Sequence, residues 1–312
     1  MDPDDGTSPE ISTLLGEINQ SSNARQQLLK KWSEMNEGCN VLTYFTSFNA
    51  PVMIDDADRD IIECILQVMD SSKPLDLILS SPGGDPLAAE RIINVCRAYS
   101  SSFRVIVPKL AKSAATMISF GANTILMGET SELGPIDPQI TYMDQTGKYV
   151  TRSADSIIKG VASVIEQIKA LAPNQNAAGL LSLLPPIDQP FLENCTVAQE
   201  LSKDIAIRSL KITTFKRAPA LKGEGTNNRS IEEKISMFLD PKITYSHGRP
   251  IMYQEAKKIG LNVELIKKSD PKWSHLLKIY TRSDFLVSTA CVKLIESPDN
   301  NFVSQRAFQQ KT

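Results

Sequence analysis

Three apolar runs follow one another in the first half of the chain, and each ends in small, turn-forming residues. Leu75-Asp76-Leu77-Ile78-Leu79 runs into Ser80-Ser81-Pro82-Gly83-Gly84-Asp85. Phe103 to Val107 runs into Pro108-Lys109-Leu110-Ala111-Lys112-Ser113-Ala114-Ala115-Thr116. Thr124-Ile125-Leu126-Met127 is followed by Ser131-Glu132-Leu133-Gly134-Pro135-Ile136-Asp137-Pro138-Gln139. Helical patterns separate the strands: Pro86 to Tyr99, carrying Leu87, Ile92, Ile93 and Val95, and a short small-residue helix from Ser113 to Phe120. Strand, helix, strand, helix in this order predicts parallel βαβ units and an α/β fold. Runs without polar alternation, such as Val105-Ile106-Val107, suit a sheet covered on both faces.

Composition limits what such a fold is for. The 312 residues allow one large domain or two small ones. With 41% hydrophobic and 22% charged residues the chain is ordinary for a globular protein. A formal net charge of -2 gives no basic excess for nucleic acid. No apolar run reaches about 18 residues, so no membrane span is expected. The acidic opening Met1-Asp2-Pro3-Asp4-Asp5-Gly6 lacks the cationic start and apolar centre of a signal peptide. Cys39, Cys64, Cys96, Cys195 and Cys291 are odd in number, scattered and form no CxxC, as reduced thiols of a cytoplasmic protein would. Two histidines, His247 and His275, rule out a metal site of several imidazoles. No phosphate-cradling glycine motif occurs, so no nucleotide and no other cofactor is expected.

The flanks read less sharply. Residues 10 to 36 are expected to be helical, Val41 to Phe45 a strand, and Asp55 or Asp56 the cap of a helix through Met69. Past Ile140 the pattern loosens. Helices are expected over Ala154 to Leu171, Leu192 to Lys216 and Pro250 to Ile259, the last ended by Gly260. Ser230 is expected to cap another helix, Leu221 to Asn228 to form a Gly-rich loop, and the chain after Asp299 to fray. Arg208, Lys211, Lys216, Arg217 and Lys222 read as a solvated basic face.

The central run carries the chemistry. A serine nucleophile needs a proton acceptor, donors for an oxyanion and access to substrate. Ser113 follows a strand and a turn and opens an Ala-rich segment, where backbone N–H groups lack helical partners. The amide of Ala114 is one candidate oxyanion donor. Gly83 and Gly84 supply another, since a residue without Cβ can turn its N–H toward a ligand. Either feature alone has an ordinary explanation, a turn or a helix N-cap. Together, about 30 residues apart in adjacent βα units, they point to acyl-transfer chemistry.

Ser81-Pro82-Gly83-Gly84, Ala111 to Thr116 and Leu133 to Gln139 resemble the superfamily of Clp protease proteolytic subunits, signal peptide peptidases and crotonases. They resemble more narrowly the serine dehydrogenase proteinase family, over about Arg25 to Glu296. That resemblance implies a Clp/crotonase-like fold of repeated β-β-α and βαβ units with flanking helices. The expected organisation is an N-terminal helical segment (1–40), an α/β catalytic domain (41–268) and a C-terminal helical extension (269–312). It implies a serine peptidase acting on peptides or unfolded proteins, in a homo-oligomer. A non-catalytic scaffold and an acyl-CoA enzyme are the alternatives on the same fold.

The resemblance fixes the acceptor less well. Where the Clp type has its histidine, 24 residues after the serine (137 − 113), this chain has Asp137, read as a brace or as a group orienting the base. Signal peptide peptidases pair serine with a lysine some tens of residues on. Lys148, Lys159 and Lys169 are candidates, with Lys159 preferred at an offset of 46 (159 − 113). Its neighbours Ile157, Ile158 and Val161 are expected to desolvate it, as a lysine base requires. Lys112 is expected to point away from Ser113, and His247 is the rival base.

Overall fold

In the computed structural model, described over residues 22–144, 146–172, 175–184, 188–213, 231–244 and 246–305, the chain divides into two compact units. The first comprises Met1–Gly134, Ser209–Thr226 and Pro250–Thr312, and the second Pro135–Arg208 and Asn227–Arg249.

The first unit is an α/β sheet with helices. Its elements begin with α1 (Asn23–Met35), β1 (Asn40–Thr46), α2 (Asp56–Leu66), β2 (Leu75–Ser80), α3 (Pro86–Ala98) and β3 (Phe103–Val107). They continue with β4 (Leu110–Ala111), α4 (Ala114–Phe120), β5 (Thr124–Gly128) and β6 (Glu132–Leu133). The second unit holds the hairpin β7 (Gln139–Met143) and β8 (Tyr149–Ser153), then α5 (Ala154–Lys169) and most of α6 (Gln189–Ile212). It also holds short helical turns at Ala178–Leu181 and between Ile231 and Thr244. The chain returns to the first unit with β9 (Ile251–Met252), a turn of helix at Tyr253–Lys258, β10 (Val263–Ile266), α7 (Pro271–Thr289), β11 (Cys291–Glu296) and β12 (Asn301–Gln305).

The main sheet is mixed, with strand order β10-β5-β3-β2-β1-β11-β12. The five strands from β10 to β1 are parallel, and β11 and β12 are added antiparallel. All six residues of β2 are buried, as a strand covered on both faces demands. Leu29, Trp32, Phe45, Ile78, Ile106, Trp273 and Leu276 form a core beneath it. Asp55 caps α2 in a capping box with Asp58, and Asp85 caps α3 ahead of Pro86. A small sheet β4-β6-β9 lies beyond the strand ends.

Several expectations are corrected. Of the stretch after Asp299, residues 301–305 do not fray, and residues 306–312 lie outside the described residues. Asn301–Gln305 pairs with β11, so the C-terminal segment completes the sheet instead of extending it as helix alone. Residues 139–153, where no element was expected, form the β7–β8 hairpin, turned at Gly147 with φ +79°. The helix expected from Pro250 starts at Tyr253, because Ile251 and Met252 pair with β6. Residues 10–21, 221–228 and Ser230, on which other expectations fell, lie outside the described residues.

Candidate active site

The loops that leave β2 and β3 are tied together. Ser81 donates its N–H to Leu110 O at 3.2 Å, and Lys112 donates to Ser81 O at 3.0 Å. This brings Gly83 to Ser113. The approach is close: a Cβ built on Gly83 would stand 2.6 Å from the Ser113 Cβ, 2.9 Å from Lys112 O and 3.1 Å from Ala114 N. Gly83 and Gly84 adopt φ of +114° and +159°, which a residue with a side chain rarely takes. Gly84 backs onto Ile54 in a parallel bridge, with Ile54 N–H donating to Gly83 O and Asp85 N–H to Ile54 O, both at 2.9 Å.

The three amides expected to serve an oxyanion are not equivalent. Gly83 donates its N–H to Ser81 Oγ at 3.1 Å and is occupied. The amides of Gly84 and Ala114 donate to no group among the described residues. Ala114 directly follows the partly exposed Ser113, and Gly84 directly follows Gly83, which packs against Ser113.

Ser113 is not an ordinary helix cap. It sits at the N-cap of α4 with φ +50° and ψ −119°, and its side chain makes no capping hydrogen bond. Only one other non-glycine among the described residues, Glu37, has positive φ. Such a backbone costs about 1–3 kcal/mol and persists where the surroundings enforce it. The enforcement is visible. Ala115 N–H donates to Lys112 O and Met117 N–H to Ser113 O. Every residue of α4 is buried. The Thr116 hydroxyl, also buried, donates to Ala111 O at 2.8 Å or Gly134 O at 3.0 Å and accepts from Gly134 N–H at 3.1 Å.

Lys112 is committed elsewhere, its ammonium 2.8 Å from Glu132 and its stem lying over Gly134. The lysines expected as base are all solvated. Lys148 and Lys169 are exposed. Lys159 is 48% exposed and pairs with Asp155 at 2.6 Å. The expectation that Ile157, Ile158 and Val161 would desolvate it fails on helix geometry. Ile157, Val161 and Val164 form the buried face of α5, and a residue two positions from Ile157 and from Val161 points the other way.

His247 is placed differently, within the second unit. Its Nδ1 lies 3.7 Å from Asp137 Oδ2, is buried, and has no hydrogen-bond partner. Asp137 is 8% exposed, and its Oδ2 accepts from Gln139 Nε2 at 3.0 Å. These residues line a cavity of about 220 Å³ with Thr151, Arg152, Ser153 and Ser156. Asp137 therefore does face an imidazole, one that comes 110 residues later (247 − 137) instead of occupying its own place.

Residues 40–184 match the model of the ClpP-like SDH-type serine proteinase family, a span that contains Gly83, Gly84, Ser113 and Asp137. Two uncharacterized proteins of Methanocaldococcus jannaschii are similar. One is 39% identical over 116 residues, 36% of this chain, and the other 34% identical over 89 residues, 28% of this chain. The matches span 37% and 30% of those relatives' lengths. Among solved structures, a mutant of the 1510-N membrane-bound stomatin-specific protease aligns over 73% of this chain and 79% of its own, at 16% identity and a TM-score of 0.35. Among the described residues no helix is long and apolar enough to cross a membrane. The likeness to the ClpP-like SDH-type serine proteinases is thus carried by residues 40–184.

Proposed function

We propose that this chain hydrolyses peptide bonds with Ser113 as nucleophile and the amides of Gly84 and Ala114 as oxyanion donors. The observation that carries the reading is the strained, uncapped Ser113 packed against Gly83, with the Gly84 and Ala114 amides donating to no group among the described residues. In this reading the Ser113 hydroxyl attacks the carbonyl carbon of the scissile amide. Its proton passes to a base and then to the leaving amine, and water resolves the acyl-enzyme. Gly83 contributes room for the acyl group, its own amide being held by Ser81. The substrates are peptides or unfolded segments, and a homo-oligomer remains the expected state.

Side-chain surroundings favour His247 as the proton acceptor over Lys159. A lysine base needs a desolvated setting, and Lys159 is solvated and paired with Asp155. An imidazole whose Nδ1 faces the Asp137 carboxylate has Nε2 left to accept a proton, and the carboxylate stabilises the imidazolium that forms.

The test is hydrolysis of fluorescent casein, with fluorophosphonate labelling, by the wild type and by Ser113→Ala, His247→Gln, Asp137→Asn and Lys159→Met. Ser113→Ala is expected to fold, lose labelling and lose hydrolysis. Labelling of Ser113→Ala at the wild-type level removes Ser113 as nucleophile. A collapse of activity in Lys159→Met with His247→Gln intact reverses the choice of base.

A further inference from the structure

Gly83 is held from both of its peptide planes by groups that have no other evident task. On one side its N–H donates to Ser81 Oγ at 3.1 Å, and the Ser81 hydroxyl is 2.6 Å from Thr46 Oγ1. Ser81 is fully buried and Thr46 1% exposed. On the other side the Gly83 carbonyl accepts from Ile54 N–H at 2.9 Å. A peptide group is planar and trans, so fixing the Gly83 carbonyl toward Ile54 fixes the Gly84 N–H to point away from Ile54. Between the two planes lies a glycine whose φ of +114° is one of several it adopts at little cost. Without the Ser81 anchor the 82–83 peptide is free to rotate, and the 83–84 peptide is held from the Ile54 side alone, so the direction of the Gly84 N–H is less firmly set.

We propose that the buried hydroxyl pair Thr46–Ser81 is a positioning element of the oxyanion hole, acting through Gly83 on the direction of the Gly84 amide. Among the described residues neither hydroxyl is hydrogen-bonded to Ser113: the Thr46 and Ser81 hydroxyls meet each other and the Gly83 amide. Thr46 is the last residue of β1 and Ser81 follows the end of β2, two strands paired in parallel. The relay therefore carries the rigidity of the sheet into a loop that its two glycines would leave soft. Two hydroxyls share one donated proton between them, and the remaining lone pair of Ser81 Oγ receives the amide. A buried pair of this kind is retained only when each member is satisfied. The inference rests on the reading of Gly84 as an oxyanion donor.

The experiment compares Thr46→Val and Ser81→Ala, which remove one hydroxyl each, with Thr46→Ser, which returns it. The probe is an alkyl fluorophosphonate, with the maximal inactivation rate separated from the half-saturating concentration. The maximal rate is expected to fall about 10- to 100-fold in Thr46→Val and Ser81→Ala, less than the roughly 100- to 1000-fold that outright loss of one donor produces. The half-saturating concentration stays within about twofold, and Thr46→Ser restores most of the rate. Hydrogen exchange at the Gly83 amide is expected to quicken in Ser81→Ala while sheet amides keep their protection. Wild-type inactivation rates in Thr46→Val and Ser81→Ala, with circular dichroism unchanged, overturn the proposal. If Ser81→Ala fails to fold, Thr46→Val decides alone. Labelling of Ser113→Ala would instead overturn the nucleophile assignment, and the Gly83 amide then decides the relay: unchanged exchange in Ser81→Ala refutes it.

Discussion

The Cα of Gly83 faces the Cβ of Ser113 so closely that an added Cβ would stand 2.6 Å away, with Lys112 O and Ala114 N at 2.9 and 3.1 Å. None of these neighbours is the far end of a flexible side chain. Gly83→Ala therefore has to displace the nucleophile or open the loop. We expect a loss of stability of about 1–3 kcal/mol, from the disfavoured φ and the overlap together, and a fall in fluorophosphonate labelling of more than about 100-fold. Gly38 is the control. It also has positive φ, +73°, but nothing stands within 4 Å of its added Cβ. Gly38→Ala is expected to cost about 1 kcal/mol and leave labelling untouched. Wild-type labelling in Gly83→Ala would contradict the packing described.

Ser113 itself stores strain, and strain can be measured. At φ +50° and ψ −119° a residue with a Cβ is disfavoured and glycine is not. Both Ser113→Ala and Ser113→Gly remove the hydroxyl, so both should be inactive. Urea unfolding should place Ser113→Gly above Ser113→Ala by about 1 kcal/mol or more, the left-handed φ adding to the ordinary N-cap preference for Gly over Ala. Equal stabilities, or an advantage for alanine, would mean that the backbone at Ser113 is relaxed in solution.

Much of this site is written locally in the sequence, and its limits have a physical pattern. Leu75–Ser80, Phe103–Val107 and Thr124–Gly128 announce themselves because a strand buried on both faces needs an unbroken apolar run. Gly83, Gly84 and Ser113 stand out because turn chemistry is local. Strand β11 does not, since Lys293 and Glu296 look like surface charges. They are buried because Lys293 reaches Asp55 and Asp58, and Glu296 reaches Arg25, residues more than 230 positions away in the chain. The β7–β8 hairpin escapes notice because neither of its faces is fully covered, so the alternation in burial is weak. Lys159 misleads in the opposite way, its apolar sequence neighbours lying on the far side of α5. The His247–Asp137 approach depends on tertiary structure and leaves no mark in spacing.

The thiols give a test independent of activity. Cys39, Cys96, Cys195 and Cys291 are buried and Cys64 is exposed, and these five form no disulfide. Burial pushes the Cys39 and Cys96 thiols up to about 12, Cys39 with help from the nearby Asp76 carboxylate. A thiol that is neutral and inaccessible does not attack a disulfide reagent. One equivalent should react rapidly with Ellman's reagent in the native protein, and five after denaturation. Cys64→Ser should abolish the rapid equivalent. A second fast equivalent in the native protein would show that the sheet opens more readily than this packing allows.

Asp284 on α7 supplies a pH dependence whose sign is fixed. Burial holds its carboxyl above the ordinary carboxylate range, and the Tyr280 hydroxyl and Lys109 only partly counter this. Lys109 is otherwise occupied over the Tyr280 ring, 6.0 Å from its centre. With its affinity for the proton raised in the folded state, the group contributes stability that is fully present below the unfolded carboxyl's pKa, near pH 4. That contribution is lost as pH rises through the higher folded value. Asp284→Asn replaces the acid by a neutral group of similar shape and removes the loss. The melting temperature of Asp284→Asn relative to wild type should therefore be higher at pH 7 than at pH 4. A difference that is constant across that window, or that shrinks toward neutrality, would show that Asp284 is solvated and titrates as it does in the unfolded chain.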